Sequence, residues 1–142
     1  AFFGDFGYEL DITSLDDDTL AEMKEQVEFY KQYRQVFQFG KFYRIESPFD
    51  TRGSYSSWEV VDGNQEVAIA GLYQTLQRPN DSYIRLYFKG LKEDAQYQVN
   101  NDPHVYYGDE LMNAGYFVSH FNRDKRIGSV DFTSQLFIAK AK

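Results

Sequence analysis

The sequence contains no cysteine, which excludes a disulfide framework and a thiolate metal site. It has no apolar run long enough to cross a membrane, and no signal peptide opens it. We therefore expect a protein of a reducing compartment, the cytoplasm, with no membrane among its partners.

Histidine is almost as scarce, since His104 and His120 are the only two. A zinc site needs three or four convergent ligands, and the residues beside these imidazoles form no such pattern. The sequence also lacks a G-x-S-x-G motif and a glycine-rich phosphate loop. We predict neither a metal site nor a cofactor.

Basic residues are outnumbered, with 15 Lys and Arg against 22 Asp and Glu and a net charge of -7. This balance argues against nucleic acid or an anionic membrane as a partner. Four of the arginines, spread over different elements, are expected to pair with surface carboxylates. They are Arg34, Arg44, Arg78 and Arg85.

What is abundant is aromatic side chains, 13 Phe and 12 Tyr in 142 residues, a content typical of a β-rich protein. A chain of this length forms one domain, or one domain with an attached piece, and buries roughly two thirds of its unfolded surface. Because Ala1 begins an apolar stretch without a methionine, we expect a piece of a longer protein.

A helix is predicted at about 15–37. Ser14 is the expected N-cap, with Asp17 completing a capping box, and Gly40 lies just beyond the end. Residues 1–11, before the helix, predict a short strand that ends in a turn. The helix is indicated by apolar residues at three- and four-residue steps, namely Leu20, Met23, Val27, Tyr30 and Phe37.

From residue 39 onward the apolar period changes to two, which indicates strands. Short strands with regular turn signals predict an antiparallel Greek-key β-sandwich. One strand and one helix followed only by strands favour the end of an α/β unit fused to a β-domain. The predicted strands are 41–46, 54–61, 66–76, 82–89, 95–99, 104–107 and 128–139.

The centre of the sandwich is predicted to be the hairpin 54–76, with its turn at Asp62-Gly63-Asn64. Alternation puts one set of residues on a common face: Trp58, Val60, Val67, Ile69 and Tyr73. The opposite face of the second strand carries Ala68, Ala70 and Leu72. This strand is therefore expected to be covered on both faces, with Trp58, the only tryptophan, as the core anchor.

Four segments carry a resemblance to a known family: AFFGDFGYELD, KEQVEFYKQYRQVFQFGKFYRIESPF, LYQTLQRPN and YYGDELMNAG. The sequence resembles the C-terminal end of α-galactosidases of glycoside hydrolase family 36. The resemblance implies that residues 1–37 are the last strand and helix of a catalytic (β/α)₈ barrel. It implies that residues 38–142 are the C-terminal antiparallel β-sandwich.

The family hydrolyses terminal α-galactosides such as raffinose and melibiose with retention, using two aspartates in motifs of the kinds KWD and SDD. Neither motif occurs in this sequence. The resemblance thus implies no catalytic, substrate-binding or metal residue here. The implied partners are the barrel and N-terminal domain of the parent enzyme, its α-galactoside substrate, and further copies in a homo-oligomer.

Acidic residues were weighed as site candidates. Asp5, Glu9 and Asp11 would follow a barrel strand, where barrel enzymes place their active sites, but loop and cap roles are favoured. If the predicted strand 104–107 continued through Asp109 and Glu110, these adjacent side chains would point to opposite faces. For them we expect a local role, bonding to the backbone or to Asn113.

Three hypotheses follow for the chain itself. The first is a structural C-terminal part of an α-galactosidase, inactive alone, which braces the barrel. The second is a carbohydrate-binding module with a platform of exposed rings from Tyr83, Tyr87, Tyr97, Tyr106 and Tyr107. The third is an enzyme in its own right, with two close carboxyls in a pocket. The first is favoured. An isolated barrel strand would fray at residues 1–10 or pair with a second copy.

Overall fold

A computed structural model describes residues 2–50, 54–76, 84–118 and 131–142. Two helices are present in these ranges, α1 at Asp17–Phe39 and α2 at Gly108–Asn113. The strands are β1 Lys41–Glu46, β2 Tyr55–Val61, β3 Val67–Gln74, β4 Ile84–Leu86, β5 Gln96–Val99, β6 Val105–Tyr107, β7 Tyr116–Val118 and β8 Thr133–Ala141. In the described part of the chain, no helix is long and apolar enough to cross a membrane.

The strands form two antiparallel sheets. The large sheet has six strands in the order β1-β2-β3-β8-β5-β6, and the small sheet pairs β4 with β7. The last strand of the chain, β8, is thus inserted between β3 and β5 and joins the first half of the sheet to the second. The predicted class, a mainly antiparallel β fold preceded by one long helix, is confirmed.

The long helix begins and ends two residues later than predicted, because a different residue caps it. The carboxylate of Asp16 accepts a hydrogen bond from the Thr19 amide at 2.7 Å. The Ser14 cap is wrong because Ser14 belongs to a preceding 3₁₀ turn, Ile12–Ser14, which Asp11 caps. At the other end the Gly40 amide donates to the Val36 carbonyl at 2.9 Å.

The expected strand within residues 1–11 is not formed, since residues 2–10 make turns and bends. These residues pack on α1 within one copy instead of fraying. The ring centroids of Phe2 and Phe37 are 5.8 Å apart, and those of Phe6 and Tyr30 are 4.8 Å apart. With no parallel strand beside them, the segment buries its rings against the nearest apolar surface, which is the helix.

The large sheet is covered on both faces, which gives three layers. On one face α1 contributes Tyr33 and Phe37 to a cluster with Val60 and Ile69. The other face packs against the small sheet and the segments around it. That larger core contains Val61, Ala68, Ala70, Leu72, Leu86, Phe88, Leu91, Tyr97, Val99, Leu111, Val118, Phe137 and Ala139. The prediction that the second hairpin strand, β3, is buried on both faces is confirmed.

Trp58 does not anchor the sandwich core, so that interpretation is wrong. It shares the helix-facing side of β2 with Val60 and is only half-buried. Its ring stacks on Tyr73 at 4.2 Å and meets Phe3 edge-on at 6.1 Å. The centre of the larger core is filled by the fully buried Tyr97 and Phe88 instead.

Candidate functional site

The acidic residues near the N-terminus do not form a site. Asp5 and Glu9 are exposed. Asp11 accepts hydrogen bonds from the hydroxyl and the amide of Thr13, at 2.6 and 2.9 Å, which together lower its pKa. Its role is therefore to begin the 3₁₀ turn before α1.

Asp109 and Glu110 lie in the first turn of α2, so the premise that they belong to a strand is wrong. The Asp109 carboxylate accepts from the Glu110 amide at 2.7 Å, and the Asn113 side chain donates to the Asp109 carbonyl at 2.9 Å. Both acidic side chains are exposed. Their contacts are local, to the backbone and to Asn113, as the preferred interpretation expected.

His104 is exposed and meets Tyr106 edge-on at 4.5 Å between ring centroids. His120 lies outside the described residues. Within the described ranges, no three His, Asp or Glu side chains converge on a point where a metal ion could bind.

The five tyrosines proposed as a sugar platform have different environments. Tyr97 is fully buried, its hydroxyl donating to the Gln65 carbonyl at 2.6 Å and accepting from the Lys92 amide at 3.1 Å. Tyr106 is half-buried, whereas Tyr87 and Tyr107 are exposed. Tyr83 lies outside the described residues. At least two of the five rings, those of Tyr97 and Tyr106, are therefore wholly or partly buried and do not suit an exposed stacking platform.

The ion pairs expected for the arginines are not seen between described residues. The one ion pair among these residues joins Lys31 to Glu28 at 3.2 Å. Arg85 donates instead to the Ala114 carbonyl at 3.1 Å and lies over the Phe117 ring. Arg34 and Arg44 are exposed, and Arg78 lies outside the described ranges.

One carboxylate that the sequence did not single out, Asp102, links the two sheets. It lies in the loop between β5 and β6 and accepts from the His104 amide at 2.9 Å. Its other oxygen accepts from the hydroxyls of Tyr106 on β6 and Tyr116 on β7, at 2.9 and 3.1 Å. These bonds, the amide first, lower the pKa of Asp102. Burial raises the pKa of both tyrosines above its ordinary value, and the hydrogen bond to Asp102 and its negative charge raise it further.

A second carboxyl, Glu59, is buried on the opposite half of the large sheet. It lies on β2 and faces the larger core with no exposed surface. One oxygen accepts a hydrogen bond from the Lys89 amide. Desolvation raises its pKa to about 8, against the opposing effect of that bond and of the Lys89 charge.

Glu59 could have been found from the alternation alone. Ser57, Glu59 and Val61 share the face of β2 that lies beside Ala68 and Ala70 of β3. A glutamate among small and apolar neighbours on a predicted hairpin is therefore a candidate for a buried carboxyl. Asp102 carried no such signal, because its two tyrosine partners come from different sheets.

The described geometry therefore shows two carboxyls, Asp102 and Glu59, that join separate parts of the sandwich by hydrogen bonds. The sequence model of the glycosyl hydrolase family 36 C-terminal domain matches residues 55–139, and the melibiase model matches residues 1–40. Alpha-galactosidase AgaA of Geobacillus stearothermophilus is 40% identical over 143 residues, which cover 99% of this chain and 18% of that protein.

Two crystal structures are also similar over the whole chain. The alpha-galactosidase from Lactobacillus brevis matches 100% of this chain and 19% of its own, with a TM-score of 0.93 and 57% identity. A variant of AgaA in complex with raffinose matches 100% of this chain and 18% of its own, with a TM-score of 0.86 and 37% identity. The chain spans less than a fifth of the length of these relatives. It belongs to glycosyl hydrolase family 36, whose C-terminal domain it carries.

Proposed function

We propose that this chain is the C-terminal part of an α-galactosidase and braces the catalytic barrel of the whole enzyme. In this proposal residues 1–37 supply the last strand and helix of a (β/α)₈ barrel, the strand forming only beside its neighbours in the whole barrel, and residues 38–142 are the C-terminal sandwich. The two family models support the division, because one matches residues 1–40 and the other residues 55–139.

The observation that carries the bracing role is the apolar contact between α1 and the large sheet. Tyr33 and Phe37 of α1 are buried against Val60 and Ile69 of the hairpin. A helix that belongs to the barrel is thereby fixed to the sandwich by side chains of both units. Such a contact resists separation of the two, since parting them would expose the buried rings to water.

The whole protein would hydrolyse terminal α-galactosides such as raffinose and melibiose with retention of configuration. Retention requires a nucleophilic carboxylate and an acid–base carboxyl about 5–5.5 Å apart. We assign both to earlier barrel strands, because the KWD and SDD motifs are absent from this sequence. The raffinose complex of the related AgaA variant supports the substrate class. A cytoplasmic location and a homo-oligomeric parent enzyme remain part of the proposal.

The test is an assay of the 142-residue chain alone with an aryl α-galactoside. We expect no hydrolysis above a heat-inactivated control, because the catalytic pair that supplies most of an enzyme's rate enhancement lies elsewhere. A chimera in which this chain replaces the matching region of AgaA should, in contrast, be active. Turnover by the chain alone that a single Asp or Glu substitution abolishes would overturn the proposal.

A further inference from the structure

Glu59 is the one described side chain whose burial and bonding do not fit an ordinary structural carboxylate. Its neighbours in register are Tyr43 on β1 and Ala70 on β3. One oxygen accepts from the Lys89 amide, while Oε2 is buried without a hydrogen-bond partner among the described residues. The hydroxyl of Ser57, two residues along the same face, is in the same condition.

The described cations compensate a charge at this position only in part. From β1 the facing titratable groups are the Tyr43 phenol and Lys41, whose ammonium lies over the Tyr43 ring at 4.9 Å from its centroid, and β3 offers only Ala70. From the segment 87–91 the facing cation is Lys89, but its ammonium nitrogen is exposed and donates to the Arg44 carbonyl at 2.8 Å. An ionised Glu59 would therefore be a buried charge with a single backbone donor, which strongly favours the neutral acid.

The segment that Glu59 holds belongs to no helix or strand. Residues 87–91 are fixed by the Glu59 bond, by the Phe88 amide donating to the Leu111 carbonyl at 3.2 Å, and by the Gln65 side chain donating to the Gly90 carbonyl at 2.7 Å. Phe88 and Leu91 are buried in the larger core, so any opening of this segment is rare. Opening of this segment would break the hydrogen bond between the Lys89 amide and Glu59.

We propose that Glu59 is a proton-linked clasp, which as a neutral acid holds residues 87–91 against the large sheet and, on losing its proton, favours opening of that segment to water. The closed state binds the proton more tightly than the open state, where the carboxyl is hydrated. The inference concerns the sandwich itself and does not depend on the activity of the parent enzyme.

The direction of the pH dependence follows from the proton affinities of Glu59 in the closed and open states. In the open state Glu59 titrates at its ordinary pKa of 4.5, and in the closed state its pKa is about 8. Closure is therefore strongest below pH 4.5 and weakens as pH rises to about 8, above which it changes no further. One linked proton changes the opening equilibrium about tenfold per pH unit within that range.

The experiment measures hydrogen exchange of the Lys89 amide in the 142-residue chain by NMR at several pH values. After correction for intrinsic exchange, its protection should fall about hundredfold between pH 5.5 and 7.5, two pH units at tenfold each. The control amide is that of Asn100, which donates to the Ile138 carbonyl at 2.8 Å, far along the sheet. Its protection should stay constant.

The matched variant is Glu59→Gln, which retains the acceptor for the Lys89 amide and has no proton to lose. Its Lys89 protection should be independent of pH over the same range. Independently of any variant, the carboxyl carbon resonance of Glu59 should titrate with a midpoint near pH 8. A midpoint near 4.5, or a pH-independent Lys89 protection in the unsubstituted chain, would overturn the clasp. Equal losses at Lys89 and Asn100 would contradict local opening.

Discussion

Gly71 has a specific role on the helix-facing side of the hairpin, where the Tyr73 ring lies directly over it. A Cβ atom at Gly71 would come within 2.6–2.9 Å of the end of that ring. The absence of a side chain lets Tyr73 lie flat and stack on Trp58, and burial raises the pKa of Tyr73 to about 12. Alternation along the sequence predicted that Trp58 and Tyr73 share a face, but not that Gly71 makes their stacking possible.

The substitution Gly71→Ala should push the Tyr73 ring off the sheet toward solvent. We expect the unfolding free energy to fall by about 0.5–1.5 kcal/mol, the usual value of an aromatic pair, and the pKa of Tyr73 to return from about 12 toward 10. Urea unfolding and ultraviolet titration measure the two effects. The control is Gly63→Ala in the hairpin turn, where an added Cβ meets nothing within 4 Å. Equal effects of both substitutions would refute the role of Gly71.

At the scale of elements, the sequence predicted the long helix and most of the strands but missed α2 and β7. The strands β1, β2 and β3 lie within two residues of their predicted bounds, because six or more alternating residues give a clear signal. Helix α2 has six residues and β7 has three, too few for either period to be recognised. The face of the hairpin that meets the small sheet was also unpredictable, since both faces of β3 are apolar.

The link between β6 and β7 through Asp102 is testable with Tyr116→Phe, which removes one hydroxyl donor and keeps the ring. Because fewer donors then stabilise the carboxylate, the lowered pKa of Asp102 should rise toward its ordinary value of 3.8. A carboxyl whose pKa is lowered in the folded state stabilises the fold at pH values above its ordinary pKa, and this contribution is lost as the pH falls through the folded-state pKa. The contribution is smaller in the variant, so its free energy of unfolding should depend less on acid pH. Carbon NMR titration of Asp102 checks this, with Tyr107→Phe on the exposed neighbour as control. An unchanged Asp102 titration would count against the link.

The whole molecule is a sheet held between two unlike layers. On one side the larger apolar core lies between the sheets, Asp102 accepts a hydrogen bond from Tyr116 of the small sheet, and the buried Glu59 accepts one from the segment 87–91. On the other side α1 is held by side-chain packing, with Phe37 in contact with the rings of Phe2 and Phe3. The sequence pattern predicted the helix and the sandwich as separate units. The resemblance to a family indicated that both belong to one enzyme. How the first ten residues pack could not be predicted, since a strand pattern without partners gives no register.

The contact of α1 with the large sheet can be tested with two phenylalanines of that helix. Phe37 is 7% exposed and Phe39 is 75% exposed. In the isolated chain, Phe37→Ala should lower the unfolding free energy by about 3–5 kcal/mol. Phe39→Ala should change it by less than about 0.5 kcal/mol.

In the active chimera with AgaA, Phe37→Ala should lower the temperature of half-inactivation while leaving KM for raffinose unchanged at low temperature, because the rings lie between units and not among catalytic groups. Phe39→Ala should leave both quantities unchanged. If the two variants of the chimera lost activity at the same temperature although Phe37→Ala destabilised the isolated chain, the contact would stabilise the sandwich without bracing the barrel.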